Sequence, residues 1–175
     1  MTRPLALQVE LQVPAVQAKG LAKRYGQLVA LSNIDLTILP GERVAVAGPS
    51  GSGKTTLLYL LAGLIQPDGG SLSLVGRDLA EIGPGRELSE LVGIIHQQFD
   101  LVPHLSVVHN VLAGRLGQWS LARSLLSLVL PRDRHLAESA LERVGLADKL
   151  YERTSRLSGG EQQRVAIARL LVQDP

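Results

Sequence analysis

At 175 residues the chain has the length of one domain, enough to bury roughly two-thirds of the surface it would expose unfolded. Hydrophobic residues make up 45% of it and charged residues 19%, with one Trp, three Tyr and one Phe; this describes an aliphatic core and excludes disordered, collagen-like and coiled-coil chains and an aromatic stacking surface for nucleic acid. Eighteen basic residues against sixteen acidic leave +2 at pH 7, and Cys is absent, so charge selects no polyanionic partner and disulfides, thiolate metal sites and a cysteine nucleophile are ruled out.

In chain order, Leu5, Leu7, Val9, Leu11 and Val13 alternate with Ala6, Gln8, Glu10 and Gln12, a period of two that predicts a half-buried or edge strand ended by Pro14. A second extended segment, Ala15 to Lys19, leads through Lys23-Arg24-Tyr25-Gly26 into a third, Ala30 to Leu39, which Pro40-Gly41 stops. Arg43 to Ala47 is a short, nearly continuous apolar run of the kind a parallel sheet covers on both faces. It feeds a glycine loop and then Lys54 to Gly63, apolar almost all round, which predicts a buried helix ending near Gly63. Leu57 to Ile65, the longest apolar stretch, falls short of the roughly 18 residues of a membrane span, and no charged region followed by an apolar block opens the chain; neither a membrane crossing nor a secretion signal is expected.

Pro67-Asp68-Gly69-Gly70 predicts a tight turn, Leu72 and Leu74 a returning strand, and Leu91 to Ile95 another buried strand. Ser106 to Gly114, Ser120 to Leu130 and Asp133 to Val144 have helical spacing, the last with Leu136, Ala140, Leu141 and Val144 on one face and Gly145 as its stop. A final helix, Gly160 to Val172, opens after Ser158, and Ser158 with Glu161 has the spacing of a capping box.

Gly48-Pro49-Ser50-Gly51-Ser52-Gly53-Lys54-Thr55 satisfies the G-x-x-x-x-G-K-[ST] phosphate loop, placed after an apolar run and opening a helix, and Thr56 continues it. Backbone N–H groups turned inward at a helix N-terminus supply donors and a positive dipole end to a triphosphate. Lys54 would sit on the β- and γ-phosphates and the Thr55 hydroxyl would ligate Mg²⁺. The plainer alternative is an exposed glycine-rich turn that happens to precede a helix. A second constellation is Leu157-Ser158-Gly159-Gly160-Glu161-Gln162-Gln163-Arg164. Capping explains Ser158 and Glu161; it does not explain two glycines in a first helical turn, which are unfavourable unless something must approach the backbone closely.

Leu157 to Gln163 resembles the signature motif of the ATP-binding cassette family and follows the phosphate loop in that family's order; the resemblance covers about Val16 to Pro175. It implies an α/β fold: a P-loop NTPase with a RecA-like core, an N-terminal antiparallel β subdomain, an inserted α-helical subdomain and a sheet incomplete at the C-terminus. Residues 1–175 would form a single partial ATP-binding domain, with 1–98 the β-rich and phosphate-loop core, 99–157 the helical subdomain and 158–175 the signature helix. The implied ligands are ATP and Mg²⁺. Tyr25 matches the aromatic residue that stacks on adenine, with a core or surface tyrosine at a turn as the alternative. Gln97 matches the glutamine that reaches Mg²⁺ and the attacking water, and Gln98 competes for that place. Ser158, Gly159, Gly160 and Gln162 would face the ATP held by a second, identical subunit in a head-to-tail dimer.

The runs His96 to Pro103, Asn110 to Gly117 and Glu142 to Lys149 resemble the ATPase subunits of bacterial phosphonate importers. This resemblance implies an ATP-hydrolysing subunit, peripheral on the cytoplasmic face of the cell membrane, that powers uptake of a phosphonate or similar oxyanion through a separate permease, with no nucleic-acid partner. Alternatives are an exporter or lipoprotein-releasing ATPase, a soluble cassette acting on DNA or ribosomes, and a nucleotide-binding fragment without turnover. In the family an apolar strand ending in Asp-Glu follows the signature helix, and a later histidine contacts the γ-phosphate. The sequence stops at Asp174-Pro175 before any such strand, and His96, His104, His109 and His135 all precede the signature. The expectation is a truncated chain that hydrolyses ATP very slowly or not at all, with Val44 and Val46 left uncovered. The histidine spacing does not suit zinc. Arg115, Arg123, Arg132 and Arg134 read as a solvated or interaction face, and Trp119 as a packing or partner residue.

Overall fold

The structure is a computed structural model and describes residues 12–120, 123–124 and 133–175. The strand expected over Leu5 to Val13 and the helix expected over Ser120 to Leu130 lie largely outside the described residues, as does Arg132. Contacts divide the chain into two compact units, the first ending at Ile82 and the second beginning at Gly83.

In the first unit, β1 (Val16–Tyr25) and β2 (Leu28–Ile38) form an antiparallel hairpin in which Tyr25 faces Leu28 across the two-residue turn Gly26-Gln27. Gly26 takes φ 59 there, a left-handed conformation that costs glycine least. β3 (Gly69–Leu74) pairs with the other edge of β1, and the short β4 (Arg77–Asp78) follows it, giving the antiparallel order β2-β1-β3-β4. An irregularity between Ala18 and Leu21 brings both onto the buried face, and the Asp35 carboxylate accepts the Gly20 N–H at 2.7 Å within it. Ala18, Leu21, Leu31, Leu60, Leu72 and Leu74 are buried.

Two strand expectations fail. Arg43 to Ala47 and Leu91 to Ile95 belong to no strand, and Val44 and Val46 are 52% and 38% exposed. An apolar run becomes a strand only by exchanging backbone hydrogen bonds with a neighbour, and the described ladders are all taken up by β1 to β4. The parallel sheet of a RecA-like core is therefore absent among the described residues. The expectation of a wholly buried first helix fails with it: in α1 (Lys54–Leu61) only Leu60 is buried and Leu58 is 49% exposed.

The second unit is helical. It comprises α2 (Arg86–Ser89), α3 (Val107–Leu112) running into a 3₁₀ turn at Ala113–Arg115, α4 (Arg134–Arg143), 3₁₀ turns at Ala147–Lys149 and Thr154–Arg156, and α5 (Gly159–Gln173). Val107, Val111, Ala137, Leu141, Val165 and Ala168 are fully buried at its centre, with Leu136, Val144 and Trp119 packed against them, so Trp119 is a packing residue. Small residues set the spacing. A Cβ on Gly114 would run into the Arg169 carbonyl, so the chain after α3 can lie flush on α5. Among the described residues no helix is long and apolar enough to cross a membrane.

Candidate functional site

Residues 48–53 form the turn that opens α1 in the first unit. Gly53 stands at the helix start with φ 84 and ψ 3 and offers no side-chain cap, and no acidic residue lies in the first turn. The N-terminal N–H groups and the positive dipole end are thus left for an outside anion. Glycine is required at this position twice over: the φ is left-handed, and a Cβ would stand 2.6 Å from the Ala30 carbonyl oxygen and 2.9 Å from Leu31 Cδ2. Lys54 Nζ donates to the carbonyls of Gly48 and Pro49 at 2.9 and 2.7 Å. Its charge is held over the loop by weak neutral acceptors, which a phosphate oxygen would displace.

A cavity of about 340 Å³ opens beside the loop, lined by Ser50, Gly51, Ser52, Gly53, Lys54, Thr55 and Thr56 on one side and by Tyr25, Leu28, Val29 and Ala30 on the other. The hairpin turn thus brings Tyr25 to the glycine loop, with its ring half exposed. Lys23 Nζ lies 5.8 Å from the centroid of that ring and is itself anchored at 2.9 Å on Asp68. The Arg24 N–H and the Lys23 ammonium both donate to Asp68, which holds its carboxyl below the ordinary carboxylate range. The cavity is of ligand size, polar at the loop and apolar at the hairpin.

The signature residues open α5 in the second unit. Ser158 is its N-cap, and the capping box is complete: the Glu161 N–H donates to Ser158 Oγ at 3.4 Å, and the Ser158 N–H and hydroxyl both donate to Glu161 Oε2, at 2.8 and 2.7 Å. Those two hydrogen bonds, hydroxyl first, hold the Glu161 carboxyl below its usual pKa. Gly159 and Gly160 are exposed, with nothing within 4 Å of where a Cβ would stand. Gln162 turns inward, its amide donating to the Thr154 and Leu157 carbonyls at 3.3 and 3.1 Å, so within this chain it braces the turn before the signature.

Gln97 and Gln98 are exposed in the turn after the unpaired segment. Three features of the second unit were missed by sequence reasoning. Asn110, 2% exposed on α3, accepts the Val102 N–H at 2.7 Å and donates to the carbonyls of Val102 and Ser106, while the Thr154 hydroxyl donates to Val102 at 2.8 Å. Arg169 holds the carbonyls of Phe99 and Asp100. Gln173 holds those of Ser89 and Val92. Of the arginines read as a solvated or interaction face, Arg115 bonds Gln118, Arg123 pairs with Asp133 and stacks on Trp119, and Arg134 pairs with Glu138.

A sequence profile described as ABC transporter matches residues 31–175, and the chain belongs to that family. It is 48% identical over 164 residues to the phosphonates import ATP-binding protein PhnC of Anaeromyxobacter dehalogenans, covering 93% of this chain and 33% of that protein. It is also 48% identical over 162 residues to PhnC of Pseudomonas entomophila, with 91% and 61% covered. The chain therefore spans between a third and about three-fifths of the length of these relatives. A solved dimeric bacterial ABC transporter cassette superposes with a TM-score of 0.75 at 32% identity, over 91% of this chain and 70% of that one. The same cassette in a post-hydrolysis state bound to ADP and Pi gives 0.72 at 31%, over the same shares of the two chains. The fold is that of an ABC cassette, α/β, with its antiparallel sheet open.

Proposed function

We propose that this chain is the ATP-binding and ATP-hydrolysing part of an import system, working with a second copy of itself and with separate permease subunits at the inner face of the cell membrane, on a phosphonate or a related oxyanion. The observation that carries the nucleotide reading is the uncapped helix start at Gly53, with Lys54 over the loop and Tyr25 across the same cavity. The identity to the two phosphonate import proteins supports the substrate class.

In this reading Gly48 to Thr56 bind the ATP phosphates, with Lys54 leaving the Gly48 and Pro49 carbonyls for the β- and γ-phosphates, and Tyr25 packs on the adenine. The Thr55 hydroxyl would hold Mg²⁺, which when bound would neutralise phosphate charge, and Gln97 keeps the metal-reaching role that the family resemblance implies. Ser158, Gly159 and Gly160, with Gln162 behind them, face the nucleotide of the second copy, whose approach the bare glycines allow. The exposed helix start and loop suit donors of the kind a phosphate accepts.

The experiment is growth of the native host on a phosphonate as sole phosphorus source. Deleting the gene is expected to abolish that growth while leaving growth on phosphate intact, with rescue by the wild-type gene and none by Lys54→Ala. Unimpaired growth on phosphonates after deletion would overturn the substrate class. A second reading, nucleotide binding without turnover, is favoured by the exposed, unpaired run Arg43 to Ala47. Purified 175-residue chain is expected to release little or no phosphate under either reading, so rescue of phosphonate growth by a gene encoding these residues decides between them, since the second reading expects none.

A further inference from the structure

The segment that carries Gln97 forms no strand, yet it is not loose: α5 grips it at both ends. Upstream, Gln173 Nε2 donates to the carbonyls of Ser89 and Val92, each at 2.9 Å, and a Cβ on Gly93 would run into the Leu170 side chain, so the backbone lies flush on the helix. Gln173 is itself fixed, its carbonyl accepting the Gln118 amide at 2.9 Å. Downstream, the Arg169 guanidinium donates from Nη2 to the Phe99 carbonyl at 2.6 Å and from Nη1 to the Asp100 carbonyl at 2.9 Å. Arg169 and Gln173 are four residues apart in α5 and so share one helix face.

The turn that Arg169 holds needs holding. Phe99 and Asp100 are consecutive non-glycine residues at φ 59 and 46, a left-handed conformation that persists only where its surroundings impose it. The Phe99 N–H donates to the His96 carbonyl at 2.9 Å and the Asp100 N–H to that of Gln98 at 2.8 Å, so the backbone folds tightly around Gln97 and Gln98. Such a turn points its carbonyls together, and a planar fork of donors is the side chain that can satisfy two converging carbonyls at once. Arg169 is partly buried, and that burial lowers its pKa, opposed by the nearby Asp100 carboxylate.

We propose that Arg169 is a positioning residue: by clasping the Phe99 and Asp100 carbonyls it fixes the left-handed turn that presents Gln97, and ties that turn to the helix whose first residues are Ser158, Gly159 and Gly160. The mechanical part stands on the hydrogen bonds alone; the consequence for Mg²⁺ rests on the proposed role of Gln97. A merely packing role for Arg169 would stabilise the helical unit as a whole, without singling out residues 96–101.

Backbone amide hydrogen exchange on the nucleotide-free chain tests the clasp. In Arg169→Ala, residues 96–101 are expected to exchange about tenfold faster or more, with α3 and α4 unchanged, and Arg169→Lys to fall between, since an ammonium does not reproduce the fork. Wild-type exchange at 96–101, or a rise spread evenly over α3, α4 and α5, overturns the proposal. Should Arg169→Ala fail to fold, Arg169→Lys against wild type gives the same comparison. The consequence is read from the ratio of ATP affinity with Mg²⁺ to that with EDTA, in wild type, Gln97→Ala, Arg169→Ala and the double variant. The ratio is expected to drop equally in all three variants, with affinity in EDTA unchanged. A drop in Gln97→Ala without one in Arg169→Ala overturns the positioning role and leaves the reading of Gln97 standing. No drop in Gln97→Ala overturns that reading, and the Mg²⁺ part of the proposal with it, while the exchange result is judged separately.

Discussion

At the start of α1, Gly53 holds φ 84 with the Ala30 carbonyl 2.6 Å from where a Cβ would stand, while at the start of α5 Gly159 and Gly160 have nothing within 4 Å of that point. The two helix starts differ in their caps as well. α1 begins without a side-chain cap or an acidic residue; α5 begins with a closed Ser158–Glu161 capping box. The chain's own packing accounts for Gly53, and it gives no account of Gly159 and Gly160. The first is a loop that the chain shapes for itself and leaves uncapped; the second is a helix end capped from within the chain, with open space where its two glycines lack side chains.

Four substitutions would sharpen or break this contrast. Lys54→Met should have the largest effect, weakening ATP binding by about a hundredfold, or about 3 kcal/mol, in a calorimetric titration; an unchanged affinity would show that the loop is an ordinary turn. Gly53→Ala should destabilise the first unit by about 2 kcal/mol in urea unfolding followed by far-UV dichroism, through the left-handed φ and the clash with Ala30. Ser158→Ala should cost the second unit about 1 kcal/mol, followed by the fluorescence of Trp119, which packs on that unit's core. Gly160→Ala should move the other way, stabilising α5 by up to about 1 kcal/mol, while ATP-dependent self-association is lost. A stability loss in Gly160→Ala would mean that the chain itself needs that glycine, and the contrast would fail.

The smallest effect is one of pH. The Glu161 carboxyl titrates below its ordinary value of 4.5 because Ser158 donates to it twice. Its contribution is therefore complete above that value and is lost as pH falls through the lowered folded pKa. Trp119-monitored stability should fall along that limb, and Glu161→Gln, which keeps a capping-box acceptor, should flatten it.

What could be read from the sequence was what local chemistry decides. The extended segments on either side of Gly26, the glycine loop that opens α1 before Lys54, and the α5 start at Ser158 and Glu161 were legible, because each needs only residues a few positions apart, although the strands run further toward Gly26 than the segments Ala15 to Lys19 and Ala30 to Leu39. Arg43 to Ala47 misled for the converse reason: an apolar run states that burial is favourable and says nothing of which strand will pair with it. Arg169 and Asn110 were not legible as structural clasps, since their partners are backbone carbonyls and N–H groups, which every residue has. Arg169 lies 70 residues from Phe99, and no residue type marks a carbonyl that will need a donor. The roles of Tyr25 and Gln97 came from resemblance; the hairpin turn does bring Tyr25 to the loop.

The most direct test of the central claim is a calorimetric titration of the 175-residue chain with ATP and Mg²⁺, run beside Lys54→Met and Gly160→Ala. The account predicts saturable binding at one site per chain, weakened about a hundredfold in Lys54→Met and kept in Gly160→Ala. Unchanged affinity in Lys54→Met, or a wild-type chain that takes up no ATP, would contradict it.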